Sequence, residues 1–300
     1  MWKRRTRARG SCALQVGFAV MLTFAALTGT SAQDWEVKYA SGQNIAAAYE
    51  GWEQNPDGTF NLVFGYLNRN WEEQPDVPIG PNNNIEPGGP DYGQPTHFYP
   101  RRSRFLFRVP VPKDFGTKEL VWTLTVHGKT EKAYGTLKPE YALEPNFLMR
   151  NYSGGNPRGT DNHKAPVVRV DGTTQRTVKV GEPLNLTAFA TDDGLPKPSP
   201  AAKTGPLGRN AAFGLRVSWF VYRGPADKVK FDPEQIKVYH DYRPGGNSPW
   251  TPGWAPPPLP ADGRFPVKLT FNAPGTYVVR VMAHDGGLGA TQDVTVTVTP

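Results

Sequence analysis

Cysteine is almost absent from this chain: of 300 residues only Cys12 is one. A lone thiol makes no intramolecular disulfide and no thiolate metal site, so the fold rests on packed cores of ordinary size. Acidic residues are missing before Asp34, whereas Lys3, Arg4, Arg5, Arg7 and Arg9 crowd that end. Long apolar runs are scarce too. The one extended stretch, Cys12 to Leu27, is too short and ragged for a permanent membrane span. Sustained helical periodicity is missing, which argues against bundles and coiled coils. Familiar chemical motifs are also lacking: there is no His-Glu-x-x-His, no Gly-x-Ser-x-Gly elbow, and no glycine loop followed by Lys and Ser or Thr. His97, His127, His163, His240 and His284 never share a short segment, so none shows metal-ligand spacing.

What is present begins with the N-terminus. A cationic lead, the apolar stretch and the small residues Thr28-Gly29-Thr30-Ser31-Ala32 form the three parts of a secretory signal, predicting a cleaved signal peptide over 1–33. The mature chain is then exported, periplasmic or extracellular, with no transmembrane segment. Cys12 precedes the apolar run, whereas a lipid-accepting cysteine would end it. Without the five leader cations, 29 basic residues face 27 acidic ones, a net +2. That balance removes the case for nucleic acid that the whole-chain pI of 9.4 suggests.

Glycine (32) and proline (31) punctuate runs of β-branched and aromatic residues, the pattern of short strands joined by turns. Asn55-Pro56-Asp57-Gly58 between Ala46–Glu53 and Thr59–Leu67 predicts a hairpin. Period-two alternation marks Phe105–Val111, Leu120–Val126, Leu184–Ala190, Leu215–Val221, Val267–Phe271, Tyr277–Val281 and Val294–Val298 as half-buried strands. Between Trp71 and Arg104 seven prolines interrupt the chain, predicting a long loop (71–104) without regular elements but with rings to pack. The implied plan is an N-terminal sandwich over 34–148, a linker over 149–164 and a second sandwich over 165–300.

Three segments in the second half carry a resemblance. Leu184 to Gly194, with its Asp192-Asp193-Gly194 exit, the Val217-Ser218-Trp219 centre, and Ala273 to Val281 followed by Ala283-His284-Asp285-Gly286-Gly287 resemble the PKD-type and cadherin-like Ig-fold modules of bacterial exported proteins. The resemblance implies Trp219 in the core, Tyr277 at a tyrosine corner, and Leu186 and Val279 at the places antibody domains give to bridging cysteines. The fold class expected for the chain is therefore all-β: two tandem Ig-like β-sandwich domains after the signal peptide. The insertions Pro196–Phe213 and Tyr239–Arg264 exceed the family pattern and are where an individual function would sit.

Several groups carry candidate chemistry. The Ig-like topology puts the Asp192-Asp193 and Asp285 loops at one pole, where carboxylates suit a weak Ca²⁺ site or simply cap their own turns. Tyr239, Tyr242, Trp250 and Trp254, on a proline-rich insertion, offer a stacking surface for sugars or peptides, or else fold back over the domain junction. Arg101, Arg102 and Arg104 could grip an anion or form a solvated lead-in to a strand. His97 with a carboxylate of the 76–91 loop is the one hidden acid-base pair on offer. The favoured reading is a non-enzymatic binding or structural protein without an obligate cofactor, its partner a protein or glycan of the envelope. Competing readings are a hydrolase or lyase with its site in the 71–104 loop, and an adhesion or envelope-assembly subunit.

Overall fold

A computed structural model describes residues 38–144, 147, 163–203 and 211–300. The predicted signal peptide and most of the predicted linker lie outside the described residues. Among those described, no helix is long and apolar enough to cross a membrane.

The first half builds two facing sheets. The Asn55–Thr59 turn, with Gly58 at φ 85° where a left-handed residue is needed, joins β1 (Ile45–Gln54) to β2 (Phe60–Asn68). Beyond β2 lies β4 (Arg101–Val111), giving the order β1-β2-β4. The opposing sheet is β3-β5-β6, from β3 (Asn83–Glu86), β5 (Leu120–Val126) and β6 (Lys129–Gly135). Period-two burial puts Leu62, Phe64, Tyr66, Phe107, Val109, Trp122 and Leu124 between the sheets. Trp122 is central, edge-on to Phe107 at 5.1 Å and to Phe64 at 6.2 Å.

The second half repeats the plan with a separate core. One sheet runs β10 (Arg216–Arg223), β13 (Gly275–His284), β14 (Gly289–Thr299), β8 (Gln175–Lys179); β8 lies parallel to β14, the other pairs antiparallel. The other runs β11 (Val229–Asp232), β12 (Arg264–Phe271), β9 (Pro183–Thr191), β7 (Val167–Val170). Trp219, Leu186, Val279 and Tyr277 are all buried in the core between them. The Tyr277 hydroxyl donates to the Ala273 carbonyl at 3.0 Å, the bond of a tyrosine corner. The chain is thus all-β and Ig-like in architecture.

Three expectations fail. The 71–104 loop does contain a regular element, β3, and it sends Val77, Ile85 and Phe98 into the first core. The reason is one side chain: buried Asn83 donates to the Val77 and Pro95 carbonyls at 2.9 and 2.8 Å and accepts from Trp122 Nε1 at 3.0 Å. A tripled side-chain bond organises a segment whose prolines forbid a continuous ladder. Arg101–Arg104, in turn, are not a solvated lead-in; they are the partly buried first residues of β4. Finally, β10 is buried on both faces rather than one, because residues 38–300 form one compact unit and the first half covers its outer face.

Candidate functional site

The junction between the halves starts from an unpaired strand edge. β10 bonds to β13 on one side only, so its other edge would expose alternating N–H and C=O groups. Residues of the 71–104 loop and of the insertion after β11 satisfy them. Val221 N–H donates to the Tyr99 hydroxyl oxygen at 3.1 Å, Trp219 N–H to Gln235 Oε1 at 3.0 Å, and Gly224 N–H to Thr96 Oγ1 at 3.0 Å. Thr96 N–H donates to the Tyr222 carbonyl at 3.3 Å. Outward-facing side chains extend the contact: Tyr222 Oη donates to the Gly93 carbonyl at 2.6 Å, and Arg223 forks onto Asp91 at 2.7 and 3.0 Å. Arg280, on β13, forks onto Asp293, donates to the Leu106 carbonyl at 3.0 Å, and lies 3.4 Å over the Tyr222 ring.

Next to this seam lies a cavity of about 90 Å³. One wall is the irregular start of β4. Between the pairs Phe64↔Phe107 and Tyr66↔Ser103, β2 has one residue and β4 three, so Arg104, Phe105 and Leu106 bulge onto the cavity, with Phe105 at φ 49°. Gly65 faces this bulge because any Cβ there would meet the Ser103 carbonyl. The opposite wall is the outer face of β10 and β13, including Arg216, Ser218 and His284; the insertion closes the third side with Lys237, His240 and Trp250.

Among the described residues the cavity wall carries five cationic side chains, Arg102, Arg104, Arg216, Lys237 and Arg280, and no carboxylate. Arg216 is only 4% exposed, yet it reaches just the Ala212 and Gly214 carbonyls at 3.2 and 3.4 Å and His284 Nδ1 at 3.3 Å. Among the described residues no carboxylate lies within ion-pairing distance of it; burial brings its pKa down to about 10, with the charge of Asp285 opposing. His284 Nδ1 also accepts from Gly286 N–H at 2.8 Å, so its proton sits on Nε2 of a neutral ring. Burial, then Arg216 and His163, hold that imidazole well below its ordinary pKa. His240 is pushed down to about 4 by burial and by Arg104 and Arg101. Arg102 pairs with Glu50 at 2.6 Å, but its Nη1 is buried without a hydrogen-bond partner.

The sequence candidates distribute as follows. Tyr239 stacks on Tyr99 at 5.6 Å, Tyr242 packs on Trp71 at 5.9 Å, Trp250 on His240 at 4.3 Å, and Trp254 donates to Asn247 Oδ1 at 3.1 Å. These four rings are partly buried and make no open stacking row. Asp192, Asp193 and Asp285 do share one pole, where their charges and His163 act on one another. Five of their six oxygens, however, accept from Gly194, Leu195, Lys164, Gly287 and Leu288 N–H groups and from His163, and only Asp192 Oδ1 is buried without a hydrogen bond among the described residues. Among the described residues no three His, Asp or Glu side chains converge to hold a metal. His97 Nδ1 does meet Asp76 at 2.8 Å, while its Nε2 meets Gln74 Oε1 at 3.1 Å and the ring is 4% exposed.

Sequence reasoning missed Arg216, Arg280 and the cavity itself. A usable signal existed: the supposed solvent face of β10 and β13 carries Phe220, Tyr222 and Met282, which only a covered face needs.

No protein-family model matches the chain, and no curated protein sequence matches it. Solved structures it matches include the PKD domain of an M14-like peptidase from a Thermoplasmatales archaeon (17% identity, TM-score 0.24, covering 46% of this chain and 99% of that one). Fibronectin(III)-like modules of Clostridium thermocellum CbhA match at 10% identity and TM-score 0.23, covering 85% and 94%. Domains 4 and 5 of the S-layer protein SbsC match at 12% and 0.25, covering 61% and 66%. Likenesses this distant bear on neither ligand nor activity, and the fold class rests on the strand pairing itself.

Proposed function

We propose that the protein is an exported, non-catalytic binding or structural module of the cell envelope or extracellular space, its second sandwich of PKD type. The observation that supports this reading is the junction. The rings and long loops seal the β10 edge and join the halves into one body. A rigid two-sandwich body suits presentation of a fixed surface to a protein or glycan better than it suits a reaction needing a lid. The test is calorimetry of the chain from residue 34 onward together with co-sedimentation on isolated envelope material. One cooperative transition and saturable retention are expected; two separate transitions with no retention would overturn the reading.

One observation favours a second reading, a hydrolase or lyase: the His97–Asp76 pair is in place. Its imidazole nevertheless has both nitrogens engaged and little exposure. Chromogenic ester, glycoside and peptide substrates are expected to show no turnover, and turnover abolished by His97→Ala would establish the enzyme instead.

A further inference from the structure

We propose that the junction cavity binds a compact oxyanion, a carboxylate or phosphate group, through the guanidinium groups of Arg216 and Arg102. Two independent features converge there. Arg216 is a buried cation on the cavity wall with only two long carbonyl bonds and an imidazole as partners. A buried charge so poorly compensated is strongly unfavourable unless a counter-charge enters. Arg102 lines the same cavity and keeps Nη1 buried with no protein acceptor, its one acidic partner being Glu50 through the other nitrogen. Guanidinium forks match planar and tetrahedral oxyanions in bidentate geometry, which a point-like ammonium does not.

Size and surroundings restrict the ligand. A volume of about 90 Å³ admits roughly six water-sized spheres, at ~15 Å³ each, hence a group of a few heavy atoms rather than a sugar ring. The remaining cationic and imidazole groups on the walls are Arg104, Lys237, His240, Arg280, His284 and His97, beside the phenols of Tyr66, Tyr99, Tyr222 and Tyr239. Three carboxylates pair directly with wall cations, Glu50 with Arg102, Asp241 with Lys237 at 2.6 Å and Asp293 with Arg280 at 2.6 Å, while Asp285 acts on Arg216 only from beyond ion-pair distance. Arg216 has no such partner among the described residues, so it is the cation the anion would complete. Ser218, on the same wall and buried, adds a hydroxyl able to donate to an oxyanion.

The test uses the chain from residue 34 onward and titrates sodium phosphate or sodium acetate at ionic strength held constant with sodium chloride. Wild type is expected to show a saturable rise in unfolding midpoint, roughly 5–11 °C at a hundred-fold excess over Kd, for whichever anion fits. Arg216→Met is expected to fold, because it removes an uncompensated charge, and to lose that saturable rise. Arg102→Gln is expected to weaken it about tenfold or more in Kd. A phosphate response without an acetate response assigns a phosphate group, and the reverse assigns a carboxylate. A linear rise common to wild type and both variants is the general effect of excluded salts and overturns the proposal. Should Arg216→Met fail to fold, the Arg102→Gln titration decides alone, an unchanged Kd counting against the site. Single-transition unfolding without any anion response would sink this inference while leaving the proposed module intact.

Discussion

Removing the Tyr99 hydroxyl is the sharpest probe of how the two halves are held. Tyr99 lies at the seam with its oxygen 3.1 Å from Val221 N–H, on the edge strand β10 where no backbone carbonyl is opposite. Tyr99→Phe keeps the ring contacts to Tyr239, Phe220 and His97 and deletes only the acceptor. A buried N–H left without a partner is destabilising by about 1–3 kcal/mol. For a body of this size each kcal/mol lowers the midpoint by about 2–4 °C, so the expected loss is roughly 2–12 °C. Tyr239→Phe is the control, since among the described residues that hydroxyl makes no hydrogen bond and its removal should change stability by less than about 0.5 kcal/mol. Thermal and urea unfolding of the three proteins, followed by near-ultraviolet dichroism, reads the difference. Coincident curves for wild type and Tyr99→Phe would show that the loop hydroxyl does not hold the edge strand, and the account of the seam would fail with it.

Asn83→Ala strips the Val77 and Pro95 carbonyls and Trp122 Nε1 of their common partner, and a loss of about 3 kcal/mol or more is expected in chemical denaturation, with the first core's Trp122 fluorescence altered. His240 supplies a pH signature. Its folded pKa of about 4 lies below the ordinary 6.5, so the unfolded chain binds the proton first; this group's contribution is whole above pH 6.5, falls as pH drops, and is exhausted near pH 4. Wild type should therefore lose roughly 3 kcal/mol more than His240→Gln across that window, and parallel stability-pH curves would refute the buried neutral imidazole. Arg280→Lys keeps the charge but not the fork onto Asp293, the bond to Leu106 or the flat stack on Tyr222; about 2–4 kcal/mol should be lost in urea unfolding.

Strands were readable wherever burial alternates locally. Leu120 to Val126 and Val294 to Val298 alternate in the fold as they do in the sequence, because each faces one core. The Asp192–Asp285 proximity was also legible, since topology alone puts both exits at one pole. The strand β3 was not. Its existence depends on Asn83 reaching carbonyls at Val77 and Pro95 and an indole at Trp122, none of which a window of local sequence contains. The outer face of β10 was misjudged for a related reason: alternation tells that a strand has two faces, but not that the N-terminal half of the chain covers the outer one. The cavity's arginines lie on β4, β10 and β13, more than a hundred residues apart at the extremes, so only the assembled junction brings them to one wall.

The guarded edge of β10 also sets an order of events. Synthesis runs from the N-terminus, so Thr96 and Tyr99 leave the ribosome more than a hundred residues before the strand they cover. A first sandwich already folded offers the new strand a finished row of partners. Delivered alone, the second half would present an unpaired strand edge with Phe220 and Tyr222 uncovered beside it, the geometry from which sheets of separate molecules fuse. The N-terminal half thus acts toward its own C-terminal half as a tethered chaperone that never leaves.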